Sequence, residues 1–283
     1  MFLGAHVSVL GGLERAPSNG VAIGCEAIQI FTRNQRQWRA KPISPEEATA
    51  FLASFRESRL RSVVAHDSYL INLASPDEKL LELSLRAFGD EIDRCEQLGI
   101  RGLVFHPGAH VGSGEWPGIR RIGQSLNLVL ASRREGQTRL LLETTAGQGT
   151  HLGYTFEQLA AILEQVKPRS RFGICLDSCH LFAAGYDIRS AAGYEHTMRE
   201  LESILGVERV GCFHLNDSKT CLGSRVDRHH GIGKGYLGSE VFRLIVNDER
   251  FQGLPMILET PGGPGAYRRE LRFLRRLQRK PKK

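Results

Sequence analysis

At 283 residues, 41% hydrophobic and 24% charged, the chain can bury a large core and is not the composition of a disordered or fibrous protein. A formal charge of +7 favours an anionic partner, nucleic acid or a phosphorylated metabolite, although part of the excess sits in the closing RRLQRKPKK, which reads as a solvated helix end and tail. No segment has the apolar length of a membrane span, the amino terminus lacks the charged region and cleavage site of a signal peptide, and the six cysteines form no C-x-x-C pair. A cytoplasmic protein with reduced thiols is therefore expected.

In chain order, eight short apolar runs occupy residues 2–5, 27–31, 62–65, 102–105, 139–142, 172–176, 209–213 and 255–258. Buried parallel strands read as such continuous runs. The segments between them are long enough for a helix and two loops, and several carry a helical period. Leu80, Leu81, Leu85, Phe88, Ile92 and Cys95 form one stripe; Phe156, Leu159, Ala160, Leu163 and Val166 form another. A final helix is expected over 266–278, with Leu271, Leu274 and Leu277 on one face, and a mobile or tightly turned loop over 261–265, PGGPG. Eight strand–helix alternations predict a single-domain (β/α)8 TIM barrel over residues 1–283, with a basic disordered tail from about 279. An open doubly wound sheet competes, but GAHVSVLGGL lacks the G-x-G-x-x-G loop that such a sheet carries after its first strand.

The ends of the runs carry the chemistry. They finish in His6, His66, His106, Glu143, Asp177, His214 and Glu259, and only the second ends in uncharged polar residues, Thr32 and Asn34. In a barrel these ends meet on one face, so side chains distant in sequence become neighbours. The sixth unit, FGICLDSCHLFAAGYD, adds His180 three residues after Asp177. Alone, Asp177 reads equally as a helix N-cap and His180 as a buried histidine bonded to backbone. The glycine-flanked loop GSRVDRHHGIGKG adds Asp227 and His229. So many imidazoles and carboxylates at one rim require cations among them. An all-nitrogen and oxygen donor set suits zinc, manganese or iron, and the nine such groups other than His6 imply two or three ions.

GAHVS (4–8), FTRNQRQW (31–38), HDSYLINL (66–73), FHPGAH (105–110), ETTAGQG (143–149), LDSCHLFAAGYD (176–187), FHLNDSK (213–219), GSRVDRHHGIGKG (223–235) and ILETPG (257–262) together resemble the endonuclease IV family of apurinic/apyrimidinic endonucleases, nearly end to end. The resemblance implies a TIM barrel that hydrolyses the phosphodiester 5′ to an abasic site in double-stranded DNA, leaving a 3′-hydroxyl and a 5′-deoxyribose phosphate. It implies three Zn2+, with Mn2+ or Fe2+ as alternatives at some sites. One ion is assigned to His66, His106 and Glu143, a second to Glu143, Asp177, His214 and Glu259, and a third to His180, Asp227 and His229, with Glu143 also placing the nucleophile. It further implies that Arg36, Tyr69 and Leu70 enter the duplex, with Asn34 and Gln35 beside them, and it leaves His6 near a substrate phosphate. The family pattern leads one to expect Asn where Thr144 stands. A monomer is expected. The rival reading is a metal-dependent sugar isomerase or epimerase on a related barrel, which needs fewer ligands and no duplex-entering loops.

Overall fold

The structure is a computed structural model that describes residues 1–133 and 135–279. Apart from Arg279, the basic tail expected at the carboxyl end lies outside the described residues.

Seven of the expected strands form as β1 (Phe2–His6), β2 (Ala27–Phe31), β3 (Ser62–His66), β4 (Gly102–Phe105), β5 (Arg139–Glu143), β6 (Phe172–Asp177) and β7 (Val210–His214). A ribbon absent from the sequence reading follows, β8 (Asp217–Ser218) paired antiparallel with β9 (His229–His230), and β10 (Pro255–Leu258) then completes the set. The eight long strands close a parallel barrel in the order β1-β10-β7-β6-β5-β4-β3-β2. The helices are α1 (Arg15–Ile23), α2 (Pro45–Glu57), α3 (Glu78–Gln97), α4 (Glu115–Leu130), α5 (Phe156–Leu163), α6 (Ser178–Ala184), α7 (Ala191–Ile204), α8 (Ser239–Ile245) and α9 (Gly263–Leu277).

The period of two along each strand sorts its side chains. Ala27, Val64, Val104, Leu141, Cys175, Cys212 and Ile257 pack together inside the barrel, against Phe2. Their strand neighbours, among them Leu3, Ile28, Val63, Leu103, Leu140, Ile174, Phe213 and Met256, join the core shared with the helices. Each buried aliphatic or aromatic side chain contributes roughly 1.5–3 kcal/mol, so both layers favour one register. Two residues beyond each inner apolar position the same face continues as Gln29, His66, His106, Glu143, Asp177, His214 and Glu259. The polar rim is the next storey of the inner core. A register shift between β6 and β7 at Ile174/Cys175 sets Cys212 beside Cys175 and His214 beside Asp177. At the β1–β2 contact only glycine fits, because a Cβ on Gly4 would stand 1.8 Å from the Ala27 carbonyl oxygen.

Several boundaries differ from the sequence expectation. Strands β1, β3, β5 and β6 run one residue further and take in the polar rim residue itself, while the seventh strand starts and ends one residue later. Helix α9 starts at Gly263, so most of PGGPG is its first turn; Pro264 suits that turn, where its missing N–H leaves nothing unpaired and its φ is already helical. In α3, Phe88, Ile92 and Cys95 are fully buried, whereas Leu80, at the margin of the stripe, is exposed.

Candidate metal centre

Glu143, at the end of β5, is fully buried and is the hub of the rim. Its Oε2 lies 3.0 Å from His66 Nε2 and 3.3 Å from His106 Nε2. Its Oε1 lies 2.9 Å from His214 Nδ1 and 3.3 Å from His180 Nδ1. Glu259 approaches His214 Nδ1 at 3.3 Å, and Asp177 lies 3.9 Å from the same nitrogen. Asp227 bridges the outer pair, 3.2 Å from His180 Nε2 and 3.3 Å from His229 Nε2.

The proton positions on three rings follow from their partners, since an amide oxygen can only accept. His66 Nδ1 donates to the Asp67 carbonyl at 2.9 Å, His180 Nδ1 to the Thr144 carbonyl at 2.7 Å, and His214 Nε2 to Gln29 Oε1 at 2.8 Å. Each ring therefore turns its other nitrogen toward the cluster, where it offers a lone pair once deprotonated: Nε2 of His66 and His180, Nδ1 of His214. This is how metal-ligating histidines are oriented and polarised by the groups behind them. The His180 Nε2 and His229 Nε2 atoms are buried and have no hydrogen-bond partner. Three sets built only of nitrogen and oxygen donors each bring their donor atoms within 4.8 Å of one another: His66, His106 and Glu143; Glu143, Asp177, His214 and Glu259; His180, Asp227 and His229; two further sets include buried thiols, Cys175 and Cys212 with His214, and Cys179 with Asp177 and His229. Unpaired buried nitrogens, oriented lone pairs and hard anionic oxygens fit divalent cations of the zinc class.

The electrostatics point the same way. Burial works to raise the Glu143 carboxyl, yet His214, His106 and His180 hold it well below the ordinary carboxylate range. Burial works to lower His66, yet Glu143 and Asp67 raise it to about 9, and His180 and His214 are raised for the same kind of reason. The cavity thus demands positive charge, and either protons or metal ions can supply it.

Asp227 and His229 are positioned by the ribbon that the sequence reading missed. The β8–β9 pair sets Ser218 opposite His229, and buried Asp217 accepts the backbone N–H groups of Ser218, Gly235 and Leu237 at 2.7–3.0 Å, gathering the loop. Asp227 N–H donates to Gln148 Oε1 at 2.9 Å. Asn216, also fully buried, donates to Asp177 Oδ2 at 2.6 Å and accepts the Glu259 N–H at 3.0 Å. The Thr144 hydroxyl accepts the Asp177 N–H at 2.9 Å, so the threonine side chain holds Asp177 while its backbone carbonyl holds His180.

Gln29 was missed for a different reason. It sits mid-strand in an apolar run, and only its alternation with Ala27 marks it as inward-facing. Fully buried, its amide donates to Glu259 Oε1 at 2.6 Å and to His6 Nδ1 at 3.0 Å while its oxygen receives His214. Because Gln29 donates to Nδ1, His6 carries its proton on Nε2, a buried atom without a partner. Burial lowers the His6 pKa, keeping it neutral. His6 lines a cleft of about 650 Å³ with Leu10, Phe31, Asn34 and Gln35.

The remaining predicted residues lie on the loops after β2 and β3. Arg36 is exposed, with its N–H on Asn34 Oδ1 at 3.0 Å. Tyr69 is 63% exposed and packs its ring edge on Phe31, with centroids 5.6 Å apart; Leu70 is half-buried. Ser68 Oγ donates to the Gln35 carbonyl at 2.8 Å and ties the two loops together. Behind them, α3 clamps the first loop. Arg33 reaches from Asp90 to the carbonyls of Gln37 and Trp38, Glu91 accepts the Thr32 hydroxyl at 2.6 Å, and Arg94 donates to the Thr32 and Lys41 carbonyls.

A family model described as a xylose isomerase-like TIM barrel matches residues 19–277. A protein named probable endonuclease 4 from Chloroflexus aurantiacus is 55% identical over 260 residues, 92% of this chain and 91% of that one. Its namesake from Geobacter sulfurreducens is 50% identical over 262 residues, 93% of this chain and 88% of that one. Among solved structures, the crystal structure of endonuclease IV from Thermus thermophilus superposes with a TM-score of 0.88 at 34% identity, covering 98% of both chains. A D-tagatose 3-epimerase-like protein shares the fold at 19% identity and TM-score 0.76, covering 98% of this chain and 97% of that one.

Proposed function

The chain belongs to the endonuclease IV family and is a nuclease; from that premise we propose that it hydrolyses the phosphodiester 5′ to abasic sites in duplex DNA, leaving a 3′-hydroxyl and a 5′-deoxyribose phosphate, with three zinc ions as cofactor. The observation that carries the proposal is the sharing of Glu143 between two of three donor sets, with a third set closing against it through His180. His66 and His106 would complete the first site with Glu143; Asp177, His214 and Glu259 the second; His180, Asp227 and His229 the third. Ions held there supply a water of lowered pKa, from about 15.7 toward ~7, and positive charge opposite the phosphoryl oxygens.

The chain's own residues do the rest. Glu143, shared by the first two sites, would set their spacing and help place the nucleophile. The four carboxylates Glu143, Asp177, Asp227 and Glu259 neutralise part of the ionic charge: three divalent ions less four anions leave about +2, which suits a phosphodiester. His6 lines the cleft and would lie near a substrate phosphate there. Tyr69 and Leu70, with Arg36 on the facing loop, are placed to enter the duplex where a missing base leaves a gap, supported by Asn34 and Gln35. An abasic nucleotide lacks stacking, so extruding it costs less than extruding a paired one.

The test is direct. Metal-analysed protein is incubated with a duplex carrying one abasic site, with and without chelator, and the ends of the product strands are identified. Incision giving a 3′-hydroxyl, lost on chelation and restored by zinc, is expected. Metal-independent cleavage, or a 3′-unsaturated aldehyde end, would overturn the reading.

A further inference from the structure

The chain's positive charge is concentrated in one place. Residues 266–283 contain nine Lys and Arg and one Glu, a net +8, against +7 for the whole chain, so residues 1–265 carry a net −1. Six of those arginines, Arg268, Arg269, Arg272, Arg275, Arg276 and Arg279, lie on or just past α9, and all are exposed. At about 100° per residue the five on the helix fall within an arc of roughly 120°, and at 1.5 Å per residue they form a stripe about 12 Å long, with Arg279 just beyond it. The opposite face of α9 is committed: Leu271 and Leu274 are fully buried, and Glu270 accepts the Thr260 hydroxyl and the Ile232 N–H.

Two of the six also have a local role. Arg268 donates to the Ala22 carbonyl at 2.8 Å and Arg275 to that of Gly24, where cations favour the carboxyl end of α1. Arg269, Arg272 and Arg276 have no side-chain hydrogen bond, and none of the six has a carboxylate within 4.0 Å, among the described residues. Beyond these two carbonyl contacts and Arg276 lying over the Phe273 ring, 6.0 Å from its centroid, packing does not account for such a row of cations on an otherwise near-neutral chain.

We propose that this stripe is a sequence-independent docking surface for the phosphate backbone of double-stranded DNA, on the flank of the barrel and separate from the metal rim. Duplex DNA presents one phosphate per strand about every 3.4 Å of axis, so a stripe of this length faces about three or four phosphates of one strand. Guanidinium groups pair with phosphate oxygens in forked geometry. Anionic lipid is the other polyanionic surface, but an interfacial helix inserts apolar side chains beside its cations, and those of α9 are consumed by the barrel. The stripe adds affinity for undamaged flanking or neighbouring DNA and leaves recognition of the lesion to the rim. The inference builds on the DNA-directed reading of the site, but its measurement does not depend on incision.

The test compares the metal-loaded full chain, a triple variant Arg269→Gln, Arg272→Gln, Arg276→Gln, and a control triple Arg56→Gln, Arg59→Gln, Arg120→Gln of equal charge change. Affinity for an intact duplex without an abasic site is measured across a salt series, with binding to vesicles containing anionic phosphatidylserine alongside. Neutralising three phosphate contacts should flatten the slope of log Kobs against log salt by about 2.7 and weaken binding at least tenfold near 0.1 M salt. The control should change little, and the turnover number on saturating abasic duplex should stay within about twofold. Equal slopes for the two triples, or loss of vesicle binding rather than DNA binding, would overturn the proposal. A stripe effect without abasic incision by the parent protein would instead refute the nuclease assignment and leave the docking surface standing.

Discussion

At the scale of single residues, Glu143 and Gln29 separate two kinds of contribution. Glu143 touches four imidazoles and belongs to two donor sets, so Glu143→Gln should leave a folded protein whose incision rate falls by orders of magnitude. Gln29 touches no donor set member except from behind, through His214 Nε2–H and Glu259 Oε1. Gln29→Met keeps the volume but removes both contacts, freeing the His214 ring to reorient. Groups of this kind change metal affinity by about 10–100-fold. Competition with a chromogenic chelator should show one ion of the set lost at that lower affinity, with the stability of the metal-stripped protein nearly unchanged. Retention equal to the parent would deny Gln29 this role. The contrast also marks what the sequence could reveal. His66, His106, Glu143, Asp177, His214 and Glu259 stood out because polarity changes abruptly at a strand end. Gln29, Asn216 and Asp217 did not, because a neutral or adjacent polar residue acquires meaning only through the partner it faces.

At the scale of elements, the strands were legible almost to the residue, since eight apolar runs of similar spacing admit few other folds. The β8–β9 ribbon was not: two residues on each side carry no periodicity, and the ribbon is held by the Asp217 carboxylate rather than by propensity. Helix α3 shows the same limit. Its apolar stripe predicted the face toward the barrel, but its grip on the loop carrying Asn34, Gln35 and Arg36 is polar. Burial, against the pull of Thr32, Arg33 and Arg94, raises the Glu91 carboxyl from 4.5 to about 7. A folded-state pKa above the unfolded one means that the native protein holds this proton more tightly. The associated stability is full below about pH 4.5 and is lost as pH rises to about 7. Glu91→Gln, neutral at every pH, should therefore gain thermal stability relative to the parent between pH 5 and 7.5. Glu91→Ala instead leaves the Thr32 hydroxyl without its acceptor and the buried Arg33 guanidinium without the carboxylate 3.9 Å from its Nε, costing about 3 kcal/mol and loosening discrimination of abasic from intact duplex. Parallel melting curves at both pH values check the sign; a constant difference between Gln variant and parent would show that Glu91 does not titrate as argued.

At the scale of the whole molecule, the three donor sets partition the barrel: the first joins β3, β4 and β5, the second joins β5, β6, β7 and the end of β10, and the third ties α6 to the β8–β9 loop. Strands on opposite sides of the barrel are thus linked through Glu143, and a ligand that binds only the folded state stabilises it by mass action, about 4 kcal/mol per site at a thousand times Kd. For a chain of this size 1 kcal/mol moves Tm by about 2–4 °C, so stripping the ions should lower Tm by ~10 °C or more, with zinc restoring it. The restoration is also a count. Three donor sets should take up three equivalents of zinc per chain before the full Tm is recovered, whereas a sugar-isomerising centre on a related barrel, with one or two ions, would be complete sooner. Because two of the third set's three ligands, Asp227 and His229, lie on the loop after β7 and not on the barrel wall, its ion should leave first under chelator, costing incision before it costs much stability. A titration that saturates both Tm and incision at one equivalent would dismantle the three-site arrangement while leaving the barrel and its family unchanged.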